Sequence, residues 1–519
     1  MFDRLLVLTL AFHLLSRAHG AATCEPRAIS LPFKGQKLAN QAQTRGVSME
    51  IGNPKQVLSF LPCAAHFDTY VYGTNITCDI PRIDSSAACM TSHGGYYNQS
   101  LSSSASRGDP LKHVSEDIAK RWAKDHVTLG DNTSLQTFDF SLPDAQLHGL
   151  QPQAEIGVGA NSTFIAALKD AGTVSSRSYS LFWGDEFTEQ HRDGSVVFGG
   201  YDKAIIGDSR VTKAFNRSDP DCPQGMMVRL TAIHLSSESG TVANIFDGLE
   251  PLDACLEFTM RNIMALPFNY GDRIIKGMGA ERADEHNNGR YGGVLANTAV
   301  VTPNSATFKG NLSITVEGAV TINFTTEQLL FNDHFIDSSG LVQTNTNLTN
   351  VPLLIEYPAR KSRLGGMFFS SAYLMVNHDK DEFTIAEARA AQGQPDIVGI
   401  DTANDCVAWL NGTTLSEEPS TPAAPTPTPD SDAKKLSTGT IAGIAIGAVA
   451  GIALIVGVGF LIWRRIRQIP PPQHAATDDE KYAFQAPEPP SELPSHEAYI
   501  ENRQQAAELD GGFRATELR

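Results

Sequence analysis

The chain has 519 residues, of which 41% are hydrophobic and 19% are charged. These values exclude a wholly disordered chain, a collagen and a disulfide-dense miniprotein. The formal net charge is −17, and so acidic a chain lacks the basic face that nucleic-acid binding requires. We therefore expect a folded protein that does not bind nucleic acid.

Two apolar segments predict where the protein resides. Residues 5–15 follow a short charged start and precede small residues, which is typical of a secretory signal peptide at residues 1–20. Residues 439–463 carry no charge and, at 1.5 Å per residue, span about 37 Å, enough to cross a bilayer as one helix. Three arginines follow, as is usual on the cytoplasmic side. We expect a membrane-embedded, single-pass type I protein with an extracellular or lumenal ectodomain, and we favour the plasma membrane as its location.

The segments around this helix are polar. Residues 412–437 are rich in Ser, Thr and Pro and predict an extended stalk, and residues 464–519 predict a disordered cytoplasmic tail. Four glycines recur at every fourth position of the helix, a spacing that lets two helices approach closely. The four glycines are Gly439, Gly443, Gly447 and Gly451. They predict a homodimer interface, and the alternative is that they reflect only the high frequency of glycine in membrane helices.

Nine Asn-x-Ser/Thr sequons all precede the membrane helix, which agrees with the predicted topology. We expect a glycoprotein modified at Asn75, Asn98, Asn132, Asn161, Asn216, Asn311, Asn323, Asn347 and Asn411.

Short runs of β-branched residues between turn residues predict an all-β ectodomain. The clearest strands are residues 46–51, 196–198, 227–233, 312–316 and 321–324. The longest helix-like windows are residues 115–122 and 161–169.

Five segments resemble, in order, motifs of the pepsin-like aspartic peptidases. They are residues 51–56 (IGNPKQ), 154–159 (AEIGVG), 194–202 (GSVVFGGYD), 363–376 and 381–386. The resemblance implies a bilobal all-β fold in an ectodomain of residues 21–411, with an N-lobe at about residues 30–205, a C-lobe at about residues 206–400 and a cleft between them. The order of segments along the whole chain is similar to that of single-pass fungal relatives of the pepsins.

The catalytic motifs of that family are degenerate in this chain. The family uses two aspartates, each in an Asp-Thr/Ser-Gly turn, that share a proton around one water molecule. The sequence contains neither tripeptide. By spacing from Gln56 the first aspartate position is Cys63, and the segment around Cys255 puts Glu257 at the second. A thiol, with a pKa of about 8.5, cannot replace a carboxylate base, so we expect no catalytic residues.

Two less favoured alternatives remain for the site. Asp68 lies in a Phe-Asp-Thr sequence, but using it requires five extra residues, and an odd number inverts the faces of a strand. Cys63 with His66 would make a nucleophilic pair only if the two touched and a third group oriented the imidazole.

Seven cysteines in a secreted domain predict disulfides. Cys78 with Cys89, and Cys222 with Cys255, are the candidate pairs. A bridge between Cys63 and Cys255 is the alternative.

The leading hypothesis is a membrane-anchored, pepsin-fold pseudo-peptidase whose ectodomain binds or senses a peptide or cell-surface ligand in the cleft. Two alternatives stay open: an active aspartic endopeptidase with a divergent site, and a surface sensor that signals through its cytoplasmic tail. No pattern in the sequence predicts a metal site or a cofactor.

Overall fold

The computed structural model describes residues 26–409 apart from residues 77, 79–82, 84, 111–120, 131–132, 144–152, 283–298, 302–307, 357–360, 390–393 and 403–405. The predicted signal peptide, stalk, membrane helix and tail lie outside the described residues, as do the four glycines of the membrane helix. Among the described helices, none is long and apolar enough to cross a membrane.

The first half of the described chain is built mainly of strands. They are β1 (Ile29–Lys37), β2 (Gln43–Ile51), β3 (Gln56–Cys63), β4 (Ser106–Arg107), β5 (Arg121–Leu129), β6 (Thr133–Leu142), β7 (Glu155–Gly157), β8 (Ser178–Phe182), β9 (Gly194–Phe198) and β10 (Gly200–Asp202). Helices α1 (Ser86–Ser92) and α2 (Thr163–Asp170) and a 3₁₀ helix (Gln99–Leu101) interrupt them.

The second half is again mostly strand. Its strands are β11 (Ile206–Ala214), β12 (Met227–Ser237), β13 (Val242–Asn244), β14 (Leu252–Leu256), β15 (Met264–Pro267), β16 (Glu281–Arg282), β17 (Ala299–Val301), β18 (Gly310–Val316), β19 (Val320–Thr325), β20 (Phe331–Ile336), β21 (Val342–Val351), β22 (Leu353–Glu356), β23 (Ser362–Leu364), β24 (Ala372–Asn377), β25 (Glu382–Ala388), β26 (Ile397–Asp401) and β27 (Cys406–Trp409). Helices α3 (Phe268–Gly277) and α4 (Thr326–Leu329) and a 3₁₀ helix (Gly366–Ser370) complete it.

The largest sheet joins strands from both halves of the chain. Its order is β11-β25-β24-β8-β9-β1-β2-β3-β7, with β5 also paired to β2 and flanked by β4 and β6. An eight-stranded sheet, β19-β18-β12-β14-β23-β15-β22 with β13 beside β12, belongs to the second half. Smaller sheets are β10-β26-β27 and β16-β17-β21-β20. The late strands β24 and β25 therefore return to the sheet that the first strands build.

The motif at residues 51–56 forms the tight turn between β2 and β3. Gly52 has a φ of 91°, a conformation that residues with a side chain rarely adopt, and the Asn53–Pro54 peptide is cis. The turn fixes the register of the hairpin, so Val47 lies opposite Phe60 and both side chains are fully buried. Further buried aromatic rings extend this core, including Phe33, Phe140, Phe164 and Phe198.

In each half of the chain, the strand that ends at or just before a predicted dyad position pairs in parallel with a later strand, an arrangement that we name a parallel crossing. The strands β15 and β22 are a further parallel pair in the second half. In the first, β3 pairs with β7 and Cys63 lies opposite Gly157. In the second, β14 pairs with β23 and Leu256 lies opposite Leu364. Parallel neighbours require a long connection, so each crossing joins residues that are far apart in the sequence.

The secondary structure confirms the all-β prediction and its five clearest strands. The window at residues 161–169 is helical, as α2. The helix predicted at residues 115–122 is wrong at its C-terminal end. Trp122 lies in β5 and pairs with Ser141 of β6, so pairing within the sheet determines the conformation of Trp122. Residues 115–120 lie outside the described residues.

Candidate functional site

Cys63 is the last residue of β3 and is buried, with 2% of its surface exposed. Its carbonyl accepts a hydrogen bond from the Val158 backbone N–H at 2.9 Å, which holds the strand end against the chain after β7. Burial raises the pKa of the Cys63 thiol well above its usual value, and the charge of Glu155 raises it further. The backbone N–H groups of Ala65 and His66 act in the opposite direction but do not prevail. Cys63 is therefore a protonated thiol at neutral pH.

Glu155 and His66 complete a cluster with Cys63. Glu155 begins β7 and is fully buried, and its Oε2 lies 2.6 Å from Nδ1 of His66. The sulfur of Cys63, a ring nitrogen of His66 and a carboxylate oxygen of Glu155 all lie within 4.8 Å of one another. The structure thus brings together Cys63 and His66, the less favoured nucleophilic pair, and adds Glu155, which was not among the predicted site residues.

Glu257, the other predicted dyad position, directly follows β14. Its backbone N–H donates to the Leu364 carbonyl at 2.8 Å, and its carboxylate Oε2 lies 3.1 Å from Nη1 of Arg363. Arg363 also forms an ion pair with Glu356 of β22. The Glu257 carboxylate is partly exposed, at 35% of the side chain, and is held by a guanidinium.

The two parallel crossings place Glu155 and Arg363 at equivalent positions. Glu155 lies opposite Leu61, two residues before Cys63. Arg363 lies opposite Cys255, two residues before Glu257. Each crossing therefore sets a charged side chain beside a predicted dyad position, a carboxylate in one half and a guanidinium in the other.

Asp68 lies five residues beyond the end of β3 and is buried, with 1% exposure. A side chain at Gly157 would bring its Cβ to 2.5 Å from the Asp68 carbonyl, so this segment packs directly on β7. Burial raises the pKa of nearby Tyr70, and the charges of Asp68 and Glu155 raise it further. The structure thus places Asp68 close to the Cys63 cluster, and its catalytic role stays a less favoured prediction.

A cavity of ≈330 Å³ is lined by residues from both halves of the chain. Two buried arginines, Arg45 of β2 and Arg261 after β14, line it. Arg261 donates through Nη2 to Oε1 of Gln153 at 2.5 Å and to the Arg45 carbonyl at 3.3 Å. Arg45 donates to the Trp183 carbonyl at 2.5 Å and lies 3.8 Å from Glu186. Burial lowers the pKa of both guanidinium groups.

The disulfides confirm two predictions and overturn a third. Cys78 is bonded to Cys89, and Cys222 to Cys255. The alternative bridge between Cys63 and Cys255 is wrong. Cys255 is bonded to Cys222, with their Cα atoms 5.6 Å apart, and Cys63 is a free thiol. Cys406 is also disulfide-bonded.

Most of the predicted sequon asparagines that the structure describes are on the surface. Exposed side chains are those of Asn75, Asn161, Asn216, Asn311, Asn323 and Asn347. Asn98 is half-buried and its Oδ1 accepts hydrogen bonds from Ser100, while Asn132 and Asn411 lie outside the described residues. Their glycosylation stays a prediction.

The chain is mostly β, and a parallel crossing lies beside each predicted dyad position, which is the architecture expected of the pepsin-like class. The model of the eukaryotic aspartyl protease family matches residues 47–388. The chain belongs to that family, which confirms the resemblance found in the sequence. No curated protein matches the chain.

The sequence did hold a signal for Glu155 and Arg363. Each is a charged residue two positions before a glycine in a short strand whose neighbours are buried. A charge in so buried a strand requires a partner, and that requirement points to a site.

Proposed function

We propose that this protein is a membrane-anchored pseudo-peptidase, whose aspartyl-protease-type ectodomain binds a ligand without hydrolysing it. The observation that carries the proposal is the state of the two dyad positions. One holds the buried thiol of Cys63 beside Glu155, and the other holds Glu257 in an ion pair with Arg363.

Peptide hydrolysis by this family requires one ionised and one protonated carboxyl group around a shared water molecule. A buried thiol with a raised pKa does not ionise near neutral or acidic pH and is a poor base. At the other position, the Glu257 carboxylate is held in an ion pair with Arg363, so it does not face a second carboxylate with which to share a proton. The pair of Cys63 and Glu257 therefore lacks the two carboxyl groups that the reaction requires.

The cavity beside Arg261 supports a binding function. Nε of Arg261 is buried and has no hydrogen-bond acceptor among the residues that the structure describes. A buried charged donor is costly unless it is satisfied, and a carboxylate or carbonyl of a peptide ligand would supply the acceptor. The predicted membrane helix would hold this cavity at the cell surface, and the nine sequons agree with such a location.

The test incubates the purified full-length protein with a peptide library between pH 3 and pH 6, with and without pepstatin. We expect no cleavage above that of a Glu257→Gln variant, because Cys63 cannot supply the second carboxyl group. Cleavage that pepstatin blocks, and that Glu257→Gln or Asp68→Asn abolishes, would overturn the proposal in favour of an active endopeptidase.

Binding is measured separately with the same library immobilised. We expect peptides retained by the wild type to be lost with Arg261→Met, which keeps an unbranched apolar side chain but removes the guanidinium donors. An exposed arginine, Arg229, provides the matched control as Arg229→Met. Retention that is equal in the Arg261 variant and in wild type would remove the cavity from the proposal.

A further inference from the structure

We propose that Cys63, His66 and Glu155 form a binding site for one zinc ion in the first half of the fold. Their sulfur, ring nitrogen and carboxylate oxygen already lie within 4.8 Å of one another. This inference does not depend on the pseudo-peptidase proposal, since a zinc ion would occupy the site whether or not peptides are cleaved.

The donor set has the chemistry that zinc prefers. Structural and catalytic zinc sites use thiolate, imidazole and carboxylate donors, at about 2.3 Å for sulfur and about 2.0–2.2 Å for nitrogen and oxygen. Magnesium and calcium select oxygen donors instead, so the thiol and the imidazole argue against them.

Charge balance also favours a divalent ion. The Glu155 side chain is 1% exposed, and a buried carboxylate is costly unless it is neutralised. A Zn²⁺ ion with one thiolate, one carboxylate and a neutral imidazole has no net charge. A neutral complex is less costly to bury than the negatively charged complex that two carboxylates and a thiolate would form.

The backbone holds the three donors in place before any ion binds. The Val158 N–H fixes the carbonyl of Cys63, and the Gly159 N–H donates to the carbonyl of His66 at 2.9 Å. Glu155 is fixed by the parallel register of β7 with β3. Cys63 and Glu155 are buried, whereas the His66 side chain is 22% exposed and gives an ion a route from solvent.

Ion binding requires a small local rearrangement. Donor atoms of a tetrahedral zinc site lie about 3.5 Å apart, so the 2.6 Å contact between His66 and Glu155 opens as both turn to the ion. The S–H bond of Cys63 breaks, a sulfur–zinc bond forms, and the proton leaves to the buffer. No oxidation or reduction is involved. Three protein donors leave the fourth position for water or a ligand atom.

The experiment titrates the full-length protein, purified without a histidine tag and stripped of metal, with Co²⁺ as a spectroscopic substitute for Zn²⁺. We expect one equivalent to bind, with a thiolate-to-cobalt charge-transfer band and the intense visible bands of a tetrahedral ion. Added Zn²⁺ should displace the cobalt and remove both signals. Absence of a stoichiometric cobalt spectrum would overturn the proposal.

Variants then assign the donors. Cys63→Ser should abolish the charge-transfer band, and His66→Ala and Glu155→Gln should each weaken affinity by more than the about 10–100-fold typical of an outer-shell partner. His191→Ala, at an exposed histidine, is the matched control and should bind as wild type does. A band that survives in Cys63→Ser would show that another site holds the ion.

A second measurement covers the case in which Cys63→Ser does not fold. Zn²⁺ should raise the Tm of the wild type and of His191→Ala. It should leave the Tm of His66→Ala unchanged, because that variant lacks the imidazole donor although it keeps the buried thiol. An equal zinc-dependent rise in His66→Ala would overturn the assignment. Peptide cleavage is not read in these experiments, so their failure and the failure of the pseudo-peptidase proposal are separate outcomes.

Discussion

The two parallel crossings have the same backbone pairing and opposite side-chain chemistry. At the first, a thiol, an imidazole and a carboxylate form a buried cluster around Cys63. At the second, a guanidinium joins two carboxylates, those of Glu257 and Glu356. The comparison shows that the same parallel pairing accommodates different side chains, because the backbone hydrogen bonds that define it do not depend on them.

The largest expected effect comes from removing the guanidinium at the second crossing. Arg363→Met leaves Glu356, whose side chain is 9% exposed, without its cation, and losing one partner of a buried ion pair costs about 3–5 kcal/mol. Urea unfolding of the variant and wild type measures the loss. Arg229→Met, which removes an exposed pair with Asp253, should cost less than about 1 kcal/mol. Equal losses in the two variants would mean that the ion pair does not stabilise the crossing.

The first crossing should be the more sensitive to acid. His378 follows β24, and its Nε2–H donates at 2.9 Å to the carbonyl of Val158, the residue whose N–H holds Cys63. Burial lowers the pKa of His378 from 6.5 to about 4, so the folded protein binds this proton less readily than the unfolded chain. The stabilising contribution is therefore complete above pH 6.5 and is lost as the pH falls towards 4.

The pH dependence of unfolding tests this contribution. The free energy of unfolding should fall by on the order of 2–3 kcal/mol between the two pKa values. In His378→Gln, which keeps an N–H donor but does not titrate, the slope over that range should be shallower. His191→Gln, at an exposed histidine, is the control. An unchanged slope in His378→Gln would assign the acid sensitivity to other groups.

The smallest effect is expected at Glu257 itself. Its side chain is 35% exposed, and exposed ion pairs contribute less than about 1 kcal/mol. Glu257→Gln should therefore lower stability only slightly, whereas Glu356→Gln, at the more buried partner of Arg363, should lower it more. Thermal unfolding of the two variants side by side measures the difference. The reverse order would show that Glu257 is the main partner of Arg363.

Much of the fold follows from the sequence, because its signals are local. The tight turn at residues 51–56, the β-branched strands and both described disulfides depend on residue types that are readable one segment at a time. Trp122 is an exception, since pairing with β6 places a helix-like window in a strand.

The chemistry of the site could be predicted only in part. Spacing from Gln56 indicates Cys63, and motif alignment indicates Glu257. Their partners, Glu155 and Arg363, depend on the register of parallel strands that join residues far apart in the chain. No hydrophobic pattern states such a register, so these two contacts are visible only once the strands are paired.

The return of β24 and β25 to the first sheet has a topological consequence. β24 pairs with β8 of the first half, and β25 pairs with β11, the strand that opens the second half. A single cut in a surface loop between β11 and β24 would leave each fragment holding a strand of the same sheet. The two halves are therefore joined by strand pairing as well as by the covalent chain, so one such nick would leave both fragments paired within the same sheet.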